Sequence, residues 1–209
     1  MAYGIIEGVT EWLPISSTGH MILAEQVLKF SFSAEFMEMF RVVIQLGAIL
    51  AVVRLYFKKL WPFCADNGRD SGFSRHFRWP VVRLWCKIIV ACVPAAVLGL
   101  LLDDWLDAHL YNSITVALML IIYGIAFILI ERRPRVPTTT KLSRITYKQA
   151  LIVGAWQVLA LIPGTSRSGS TIIGGLLCGM SRPAASQFTF FLAIPVMAGA
   201  SGLKLVKFL

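Results

Sequence analysis

Two short segments of the sequence place polar and ionisable side chains among apolar ones. The first, residues 7–20, reads Glu-Gly-Val-Thr-Glu-Trp-Leu-Pro-Ile-Ser-Ser-Thr-Gly-His. Glu7 and Glu11 are four residues apart, so on a helix they share one face, where their charges repel unless a cation or a proton intervenes. Divalent cations such as Mg²⁺ or Ca²⁺ prefer such oxygen ligands, which makes the pair a candidate metal site. The alternative is that Glu7 lies near a frayed helix end and is solvated.

The end of the same segment combines three hydroxyls, at residues 16–18, with the imidazole of His20. A proline and a glycine interrupt the helix there, and irregular backbone at membrane depth is tolerated only where it is buried in protein or lines a wet cavity. These side chains are therefore candidate catalytic groups. The alternative is that the hydroxyls cap a helix that begins near residue 20.

The second segment, residues 163–171, reads Pro-Gly-Thr-Ser-Arg-Ser-Gly-Ser-Thr. It precedes a helix expected from about residue 171, so free backbone N–H groups and the positive helix end would point at it. With the hydroxyls of Ser166, Ser168 and Thr171 and the fork of Arg167, the pattern predicts a cradle for phosphate or another oxyanion. The Walker pattern GxxxxGK[ST] is absent, which disfavours a P-loop NTPase. The alternative is that Arg167 snorkels or caps a carbonyl.

Together the two segments offer an acid pair, an imidazole, hydroxyls and a phosphate clamp. This combination indicates hydrolysis of a phosphoryl group, a reaction in which positioning and charge neutralisation supply most of the catalysis. The elements around the segments must then bring both to one place.

The composition indicates a polytopic membrane protein. Hydrophobic residues make up 57% of the 209 residues and charged ones 15%, against about 25% charged in soluble domains. This excludes a disordered chain and disfavours an ordinary cytosolic enzyme. The net charge of +9 comes from two basic segments, 58–87 and 131–148, while the loop 103–107 is acidic. The positive-inside rule places the basic loops in the cytoplasm and the acidic loop outside, so the charge reports topology and not nucleic-acid binding.

Charge-free stretches locate the membrane segments. The sequence predicts two interrupted segments, each broken by one of the polar motifs, and four full spans; the interrupted segments are 1–34 and 149–181, and the spans are about 36–57, 81–102, 108–130 and 183–203.

A faint internal repeat relates the two interrupted segments at a shift of 150 residues. It pairs Gly4 with Gly154, Glu7 with Gln157, Ser16 with Ser166, Thr18 with Ser168 and Gly19 with Gly169. Interrupted helices at matching positions of two halves are typical of inverted repeats, and here the first enters from outside and the second from inside. We therefore predict an all-α integral membrane protein, with two re-entrant helical hairpins and repeats at about 1–133 and 147–209. The symmetry also predicts two further spans after residue 209, so we expect the sequence to be part of a longer protein.

At these motifs the chain resembles the undecaprenyl-diphosphate phosphatase family, also known for bacitracin resistance. The matching segments are 7–20, Val43-Ile-Gln-Leu-Gly47 and 163–171, and the likeness extends to the spacing of spans through residue 203. The resemblance implies an enzyme of the bacterial inner (plasma) membrane that removes the terminal phosphate of a polyprenyl diphosphate and recycles the lipid carrier of cell-wall synthesis. It also implies an active site open to the outer, periplasmic side.

The resemblance carries the family's functional motifs onto the same residues. The acidic motif falls on Glu7 and Glu11, the loop serines on Ser16 and Ser17, the histidine on His20, and the phosphate-binding motif on Ser166, Arg167 and Thr171. In the expected mechanism, Arg167 and the helix end hold the diphosphate, while the glutamate pair binds Mg²⁺ or Ca²⁺. Either Ser17, activated by Glu11 or His20, forms a phosphoserine, or one of those two groups activates water.

The expected partners are the polyprenyl diphosphate substrate and membrane lipids, without nucleic acid, and a homodimer is left open. The rival interpretation is an inverted-repeat secondary transporter or flippase for an anionic or lipid-phosphate substrate. A transporter needs neither a nucleophile nor a metal-binding carboxylate pair. A structural scaffold does not explain why ionisable residues lie in apolar surroundings.

Overall fold

The computed structural model describes residues 2–28, 33–63, 77–132 and 136–208. Over these ranges the chain is mostly helical, with turns and irregular segments between the helices and two isolated β-bridges. The described helices are α1 (Ala2–Thr10), α2 (Ser17–Leu28), α3 (Ala34–Val43), α4 (Gln45–Leu60), α5 (Trp79–Leu110), α6 (Ser113–Glu131), α7 (Tyr147–Gln157), α8 (Arg167–Leu177) and α9 (Arg182–Phe208), with short 3₁₀ turns at Leu142–Arg144 and Val158–Leu161.

Four helical segments of the described chain are long and apolar enough to cross a membrane. They are Glu35–Leu60, Trp79–Leu102, Ser113–Glu131 and Arg182–Lys207, and each overlaps one of the predicted spans. On α6, large apolar side chains such as Ile114, Ile121 and Leu129 are more than half exposed. Such a surface is stable against lipid and not against water. The all-α membrane class is therefore confirmed.

The acidic segment 103–107 was predicted as a loop, and this is wrong. Helix α5 continues through it to Leu110, because the sequence between residues 100 and 110 contains no glycine or proline that would end a helix. The break comes instead at Asn112, whose side chain accepts a hydrogen bond from the Thr115 amide and caps α6. The span predicted from residue 108 accordingly begins at Ser113.

The two basic segments are also shorter as loops than predicted. Lys58 and Lys59 lie in the last turn of α4, where cations interact favourably with the helix dipole. Helix α5 begins at Trp79, with a proline in its first turn. Residues 64–76 and 133–135 of the predicted loops lie outside the described residues.

Each predicted hairpin consists of two short helices joined by irregular backbone. The pairs are α1 with α2 and α7 with α8, and all four have 9 to 12 residues. A span needs about 20 residues, so none of these helices crosses a bilayer alone. Their insertion into the membrane as re-entrant hairpins stays a prediction, and so does the division of the chain into two repeats. Residues 29–32 of the predicted first hairpin lie outside the described residues.

The second helix of each hairpin begins earlier than predicted, at Ser17 and not near 20, and at Arg167 and not near 171. The cause is a serine cap in both hairpins. Ser16 Oγ accepts from the Gly19 amide at 3.2 Å, and Ser166 Oγ accepts from the Gly169 amide at 3.0 Å. The sequence repeat had paired these same residues, so both copies start a helix by the same local contact.

The main core fixes the second hairpin to α5 and α9. Ile88 of α5, Val153 of α7 and Phe188 of α9 are fully buried in one hydrophobic cluster. A Cβ added to Gly154 would lie 2.3 Å from the carbonyl oxygen of Ala91, so only glycine permits this approach of α7 to α5. The hairpin therefore has a rigid support on two long helices.

The two hairpin loops meet at the start of α6. A Cβ on Gly19 would lie 3.4 Å from the Cα of Gly164 and 3.3 Å from the Val116 side chain. Gly164 has φ +88°, and a Cβ there would lie 2.6 Å from the Val116 carbonyl oxygen. Glycine is thus required at Gly164 both by the backbone conformation and by the close packing. The contact brings the two polar segments to one place.

Candidate active site

The site is centred on an ion pair between the two hairpins. Glu11, in the turn after α1, lies 2.8 Å from Nη2 of Arg167, the first residue of α8, although 156 residues separate them. Only 12% of the Glu11 side chain and 14% of the Arg167 side chain are exposed. The low dielectric of such a place strengthens the attraction. Two residues that the sequence predicted as catalytic are therefore in direct contact.

The other oxygen of the Glu11 carboxylate contacts Ser17. The Ser17 hydroxyl donates to Glu11 Oε2 at 2.6 Å, and the Ser17 side chain is buried in the first turn of α2. A hydroxyl held this close to a carboxylate has the geometry of a nucleophile with its general base. Of the bases considered from the sequence, Glu11 is the one that the structure places against Ser17.

His20 lies one turn further along α2. Its Nδ1 is 2.8 Å from the Ser16 carbonyl oxygen. Because a carbonyl only accepts, Nδ1 carries a proton, and in the neutral form of the ring Nε2 is then the acceptor. Among the described hydrogen bonds, none joins His20 to Ser17 or Glu11. Residues 17 and 20 nevertheless share one helix face.

Glu7 is buried, with 3% of its surface exposed. The alternative of a solvated glutamate at a frayed end is therefore wrong. Neither carboxylate oxygen has a hydrogen-bond partner among the described residues, and the neighbouring Glu11 carboxylate repels it. A buried carboxylate beside a second carboxylate is unfavourable, and a bound cation or a proton would relieve the repulsion. The oxygen donors of Glu7 and Glu11 fit a hard divalent cation.

Arg167 has donor capacity beyond its bond to Glu11. Its Nη1 is 3.5 Å from the Thr189 carbonyl oxygen and its Nη2 is 3.9 Å from the Met197 sulfur. Its Nε is buried and without a partner in the described part of the chain. Because Arg167 is also the first residue of α8, its side chain lies at the positive end of that helix. An oxyanion at this position would find both a free guanidinium donor and the helix end.

The serine and threonine hydroxyls predicted to bind phosphate are already engaged. Ser16 and Ser166 cap their helices, and Ser168 Oγ lies 3.1 Å from Ser166 Oγ. Thr171 donates to the Arg167 carbonyl oxygen at 2.8 Å and is fully buried. In this structure they hold the loop backbone, whereas Arg167 Nε and Thr165 Oγ1 are buried donors without a partner among the described residues. Direct contact of these hydroxyls with phosphate stays a prediction.

A narrow cleft beside the ion pair is otherwise apolar. Glu11 and Arg167 line it together with Trp12, Ala48, Ile49, Val52, Phe190 and Ala193. The rings of Trp12 and Phe190 pack edge to face with centroids 5.8 Å apart. These apolar walls lower the polarity of the surroundings of the ion pair, which strengthens its attraction.

Sequence reasoning gave no role to Gln45. This residue begins α4, and its Nε2 donates to Thr18 Oγ1 at 2.9 Å. It ties the first hairpin to a predicted membrane span. The sequence did contain an indication of this contact, because a polar side chain inside an apolar span is expected to have a hydrogen-bond partner within the protein.

The comparisons with known proteins cover the whole chain. A family profile described as bacitracin resistance protein BacA matches residues 1–209. An undecaprenyl-diphosphatase of Enterococcus faecalis is 62% identical over 208 residues, which are 99% of this chain and 73% of that protein. Proteins of the same name from Desulfitobacterium hafniense and Streptococcus sanguinis are 60% and 57% identical, over 98% and 99% of this chain and 73% and 72% of theirs. The chain belongs to the bacitracin resistance protein BacA family.

Proposed function

We propose that this chain is a membrane phosphatase that hydrolyses undecaprenyl diphosphate to undecaprenyl phosphate and inorganic phosphate. This activity recycles the lipid carrier of cell-wall synthesis and confers resistance to bacitracin. Relatives named undecaprenyl-diphosphatase, 55–62% identical, support the activity. The observation that carries it is the Glu11 carboxylate, which contacts Ser17 with one oxygen and Arg167 with the other.

Arg167 binds the terminal phosphate of the substrate. Its Nε–H is unpaired, and the positive end of α8 begins at the same residue. A guanidinium fork and a helix N-terminus both favour a phosphate. Arg167 neutralises the charge of the phosphate, while its contact with Glu11 keeps the bound phosphorus close to Ser17.

Ser17 is the nucleophile in the first step. Its oxygen forms a bond to the terminal phosphorus as its proton passes to Glu11, 2.6 Å away. The bond between that phosphorus and the bridging oxygen breaks, and undecaprenyl phosphate leaves. Arg167 stabilises the charge on the transferring group, as expected for phosphoryl transfer. The product on the enzyme is phosphoserine.

Water completes the reaction in a second step. Its oxygen attacks the phosphoserine while one of its protons goes to Nε2 of His20, which shares a helix face with Ser17. The bond between phosphorus and the serine oxygen breaks, inorganic phosphate leaves, and Glu11 returns its proton to Ser17. His20 then releases its proton to solvent.

Glu7 and Glu11 would hold a divalent cation, Mg²⁺ or Ca²⁺. The buried, unpaired oxygens of Glu7 support this assignment. In the part of the chain that the structure describes, no group of three or more His, Cys, Asp or Glu side chains could hold a metal. Two carboxylates are nevertheless enough for Mg²⁺, which commonly keeps several waters and takes substrate phosphate oxygens. When bound, the cation supplies charge neutralisation to the diphosphate.

The active site faces the outer side of the bacterial plasma membrane. The basic residues at the end of α4 and the start of α5 support a cytoplasmic location for these two helix ends. The start of α4, where Gln45 contacts the first hairpin, then points outward. No observation favours the homodimer, which stays a prediction from the sequence.

The contact between Ser17 and Glu11 favours hydrolysis over transport. A transporter or flippase would bind an anion at Arg167, but it would have no use for a hydroxyl held against a carboxylate.

Phosphate release tests the proposal. The purified chain in detergent is offered undecaprenyl diphosphate with Mg²⁺ or with EDTA, and Arg167→Ala is measured beside it. We expect metal-dependent release that Arg167→Ala reduces to the level of the uncatalysed control. Well-folded wild-type protein that releases no phosphate under any metal condition would refute the proposal and lead to lipid flux measurements in liposomes.

A further inference from the structure

Two buried threonines connect α8 to α9 directly behind Arg167. The hydroxyl of Thr189, on α9, lies 2.9 Å from the hydroxyl of Thr171, on α8. The Thr171 hydroxyl in turn lies 2.8 Å from the carbonyl oxygen of Arg167. Both threonines are fully buried. The chain of contacts therefore ends on the backbone of the residue that binds phosphate in the proposed function.

The direction of these hydrogen bonds follows from the donors available. The Thr171 hydroxyl lies 2.8 Å from the Arg167 carbonyl oxygen and 3.2 Å from the Ser168 carbonyl oxygen. Carbonyl oxygens only accept, so the single Thr171 proton is directed at this pair, of which the Arg167 oxygen is the nearer. The contact between the two hydroxyls must then take its proton from Thr189. Loss of the Thr189 hydroxyl would leave a lone pair of Thr171 unsatisfied inside the protein, and an unmade buried hydrogen bond is costly.

Thr189 also contacts the other end of Arg167. Its carbonyl oxygen is 3.5 Å from Nη1 of the guanidinium, a long contact, whereas Nη2 forms the ion pair with Glu11. The α9 backbone at Thr189 thus faces the charged head of Arg167, while its side chain fixes the Arg167 backbone through Thr171. Thr189 therefore contacts the guanidinium directly and the Arg167 backbone only through Thr171.

We propose that Thr189 is a positioning residue for Arg167, holding both the start of α8 and the guanidinium in the geometry that binds the terminal phosphate. The inference rests on the proposed function for its consequence in catalysis. A misplacement of a binding group by about 1 Å can cost about 10²-fold in rate. Thr189 does not touch the reacting atoms, so its effect passes through Arg167.

The same helix offers a matched control. Ser170, next to Thr171, donates its hydroxyl to the Tyr123 hydroxyl at 2.9 Å, and both residues are buried. This bond has the same type and length as the one between the threonines, but it leads to α6 and not to Arg167. Tyr123→Phe removes the buried hydrogen bond between Tyr123 and Ser170, with little change in the shape of the side chain. Thr189→Val likewise removes the bond between Thr189 and Thr171.

The test compares Thr189→Val, Thr189→Ser and Tyr123→Phe with the wild-type chain in detergent. We expect Thr189→Val to lower kcat/KM about 10- to 100-fold, through both a higher KM and a lower kcat, because Arg167 binds the phosphate and also stabilises the transferring group. Thr189→Ser keeps the donor and should stay within about twofold of wild type, and Tyr123→Phe should do the same. The unfolding temperatures of Thr189→Val and Tyr123→Phe should be similar.

A second measurement does not depend on activity. Phenylglyoxal modifies arginine, and peptide mass spectrometry gives the modification rate at Arg167. We expect this rate to rise several-fold in Thr189→Val and to be unchanged in Thr189→Ser and Tyr123→Phe. If wild-type protein fails to hydrolyse the lipid but this difference appears, the proposed function fails and the positioning role stands. Thr189→Val with wild-type kinetics and wild-type modification overturns the inference, as does an equal loss of activity in Tyr123→Phe.

Discussion

Glu11 and Arg167 form an ion pair at 2.8 Å that joins two helical hairpins 156 residues apart in the sequence. Each hairpin by itself holds only part of the chemistry. The first carries the hydroxyl of Ser17 and the carboxylates, and the second carries the guanidinium and a helix N-terminus. The ion pair makes one site from these two parts, supported by the contact of the two loops at Gly19 and Gly164.

Glu11→Gln should abolish most of the hydrolysis. The amide cannot accept the Ser17 proton and no longer pairs as a charge with Arg167, so we expect a loss of about 10²- to 10⁴-fold in kcat. Phosphate release from undecaprenyl diphosphate measures it. Glu25→Gln is the matched control, because Glu25 is ion-paired with Arg41 at 2.5 Å outside the site. Equal activities of the two variants would contradict the role given to Glu11.

Glu7→Gln should weaken the dependence on the divalent cation. Loss of a residue that only hydrogen-bonds a metal ligand costs about 10- to 100-fold in metal affinity. Loss of a carboxylate that is itself a ligand, as proposed for Glu7, should cost at least as much. The measurement is a titration of activity with Mg²⁺ and with Ca²⁺ after EDTA treatment. In metal-free buffer the variant should also unfold at the same or a higher temperature, because it removes an unpaired buried charge. An unchanged titration curve would rule out Glu7 as a ligand.

Gly164→Ala should destabilise the protein and disturb the site. The position has φ +88°, and the new methyl group would lie 2.6 Å from the Val116 carbonyl oxygen. A strained backbone of this kind costs about 1–3 kcal/mol in the free energy of unfolding. Gly124→Ala on α6 is the control, because its added Cβ meets no atom within 4 Å apart from the nearby backbone of its own helix. Thermal unfolding in detergent should separate the two variants, and identical unfolding temperatures would show that the loops do not meet as described.

His20→Asn should slow the second step and spare the first. The Asn amide nitrogen can replace Nδ1 as donor to the Ser16 carbonyl oxygen, but no acceptor remains in place of Nε2. We therefore expect a burst of about one undecaprenyl phosphate per enzyme followed by slow release of inorganic phosphate. Rapid-quench measurement of both products checks this. Parallel release of the two products without a burst would exclude His20 from the second step.

Much of the chemistry was accessible from the sequence, because ionisable residues in apolar surroundings are costly and therefore conspicuous. Glu7, Glu11 and Arg167 were predicted on this basis, and Ser17 was predicted as a hydroxyl where the helix is interrupted. Their pairing was not accessible, since an ion pair between residues 11 and 167 depends on how the long helices pack. Thr189 could not be predicted for the same reason, because its contacts depend on how α8 and α9 pack and the sequence shows only one polar residue in an apolar span.

Helix boundaries were the weaker part of the sequence prediction. The serines at positions 16 and 166 were treated as functional loop residues, and their capping bonds to Gly19 and Gly169 move both helix starts forward. The segment 103–107 was treated as a loop because it is acidic, but charge does not end a helix; glycine, proline or a new cap does. The charge pattern predicted the four membrane spans correctly, but it did not predict the residues at which the helices begin and end.

The most direct test of the account is to trap phosphate on Ser17. The purified chain is mixed with undecaprenyl diphosphate labelled in its terminal phosphate, quenched in acid, and analysed by peptide mass spectrometry. The account predicts phosphoserine at Ser17, enriched in His20→Asn and absent in Ser17→Ala and Glu11→Gln. A Ser17→Ala variant that hydrolyses the lipid at the wild-type rate, with no labelled peptide in any variant, would contradict it.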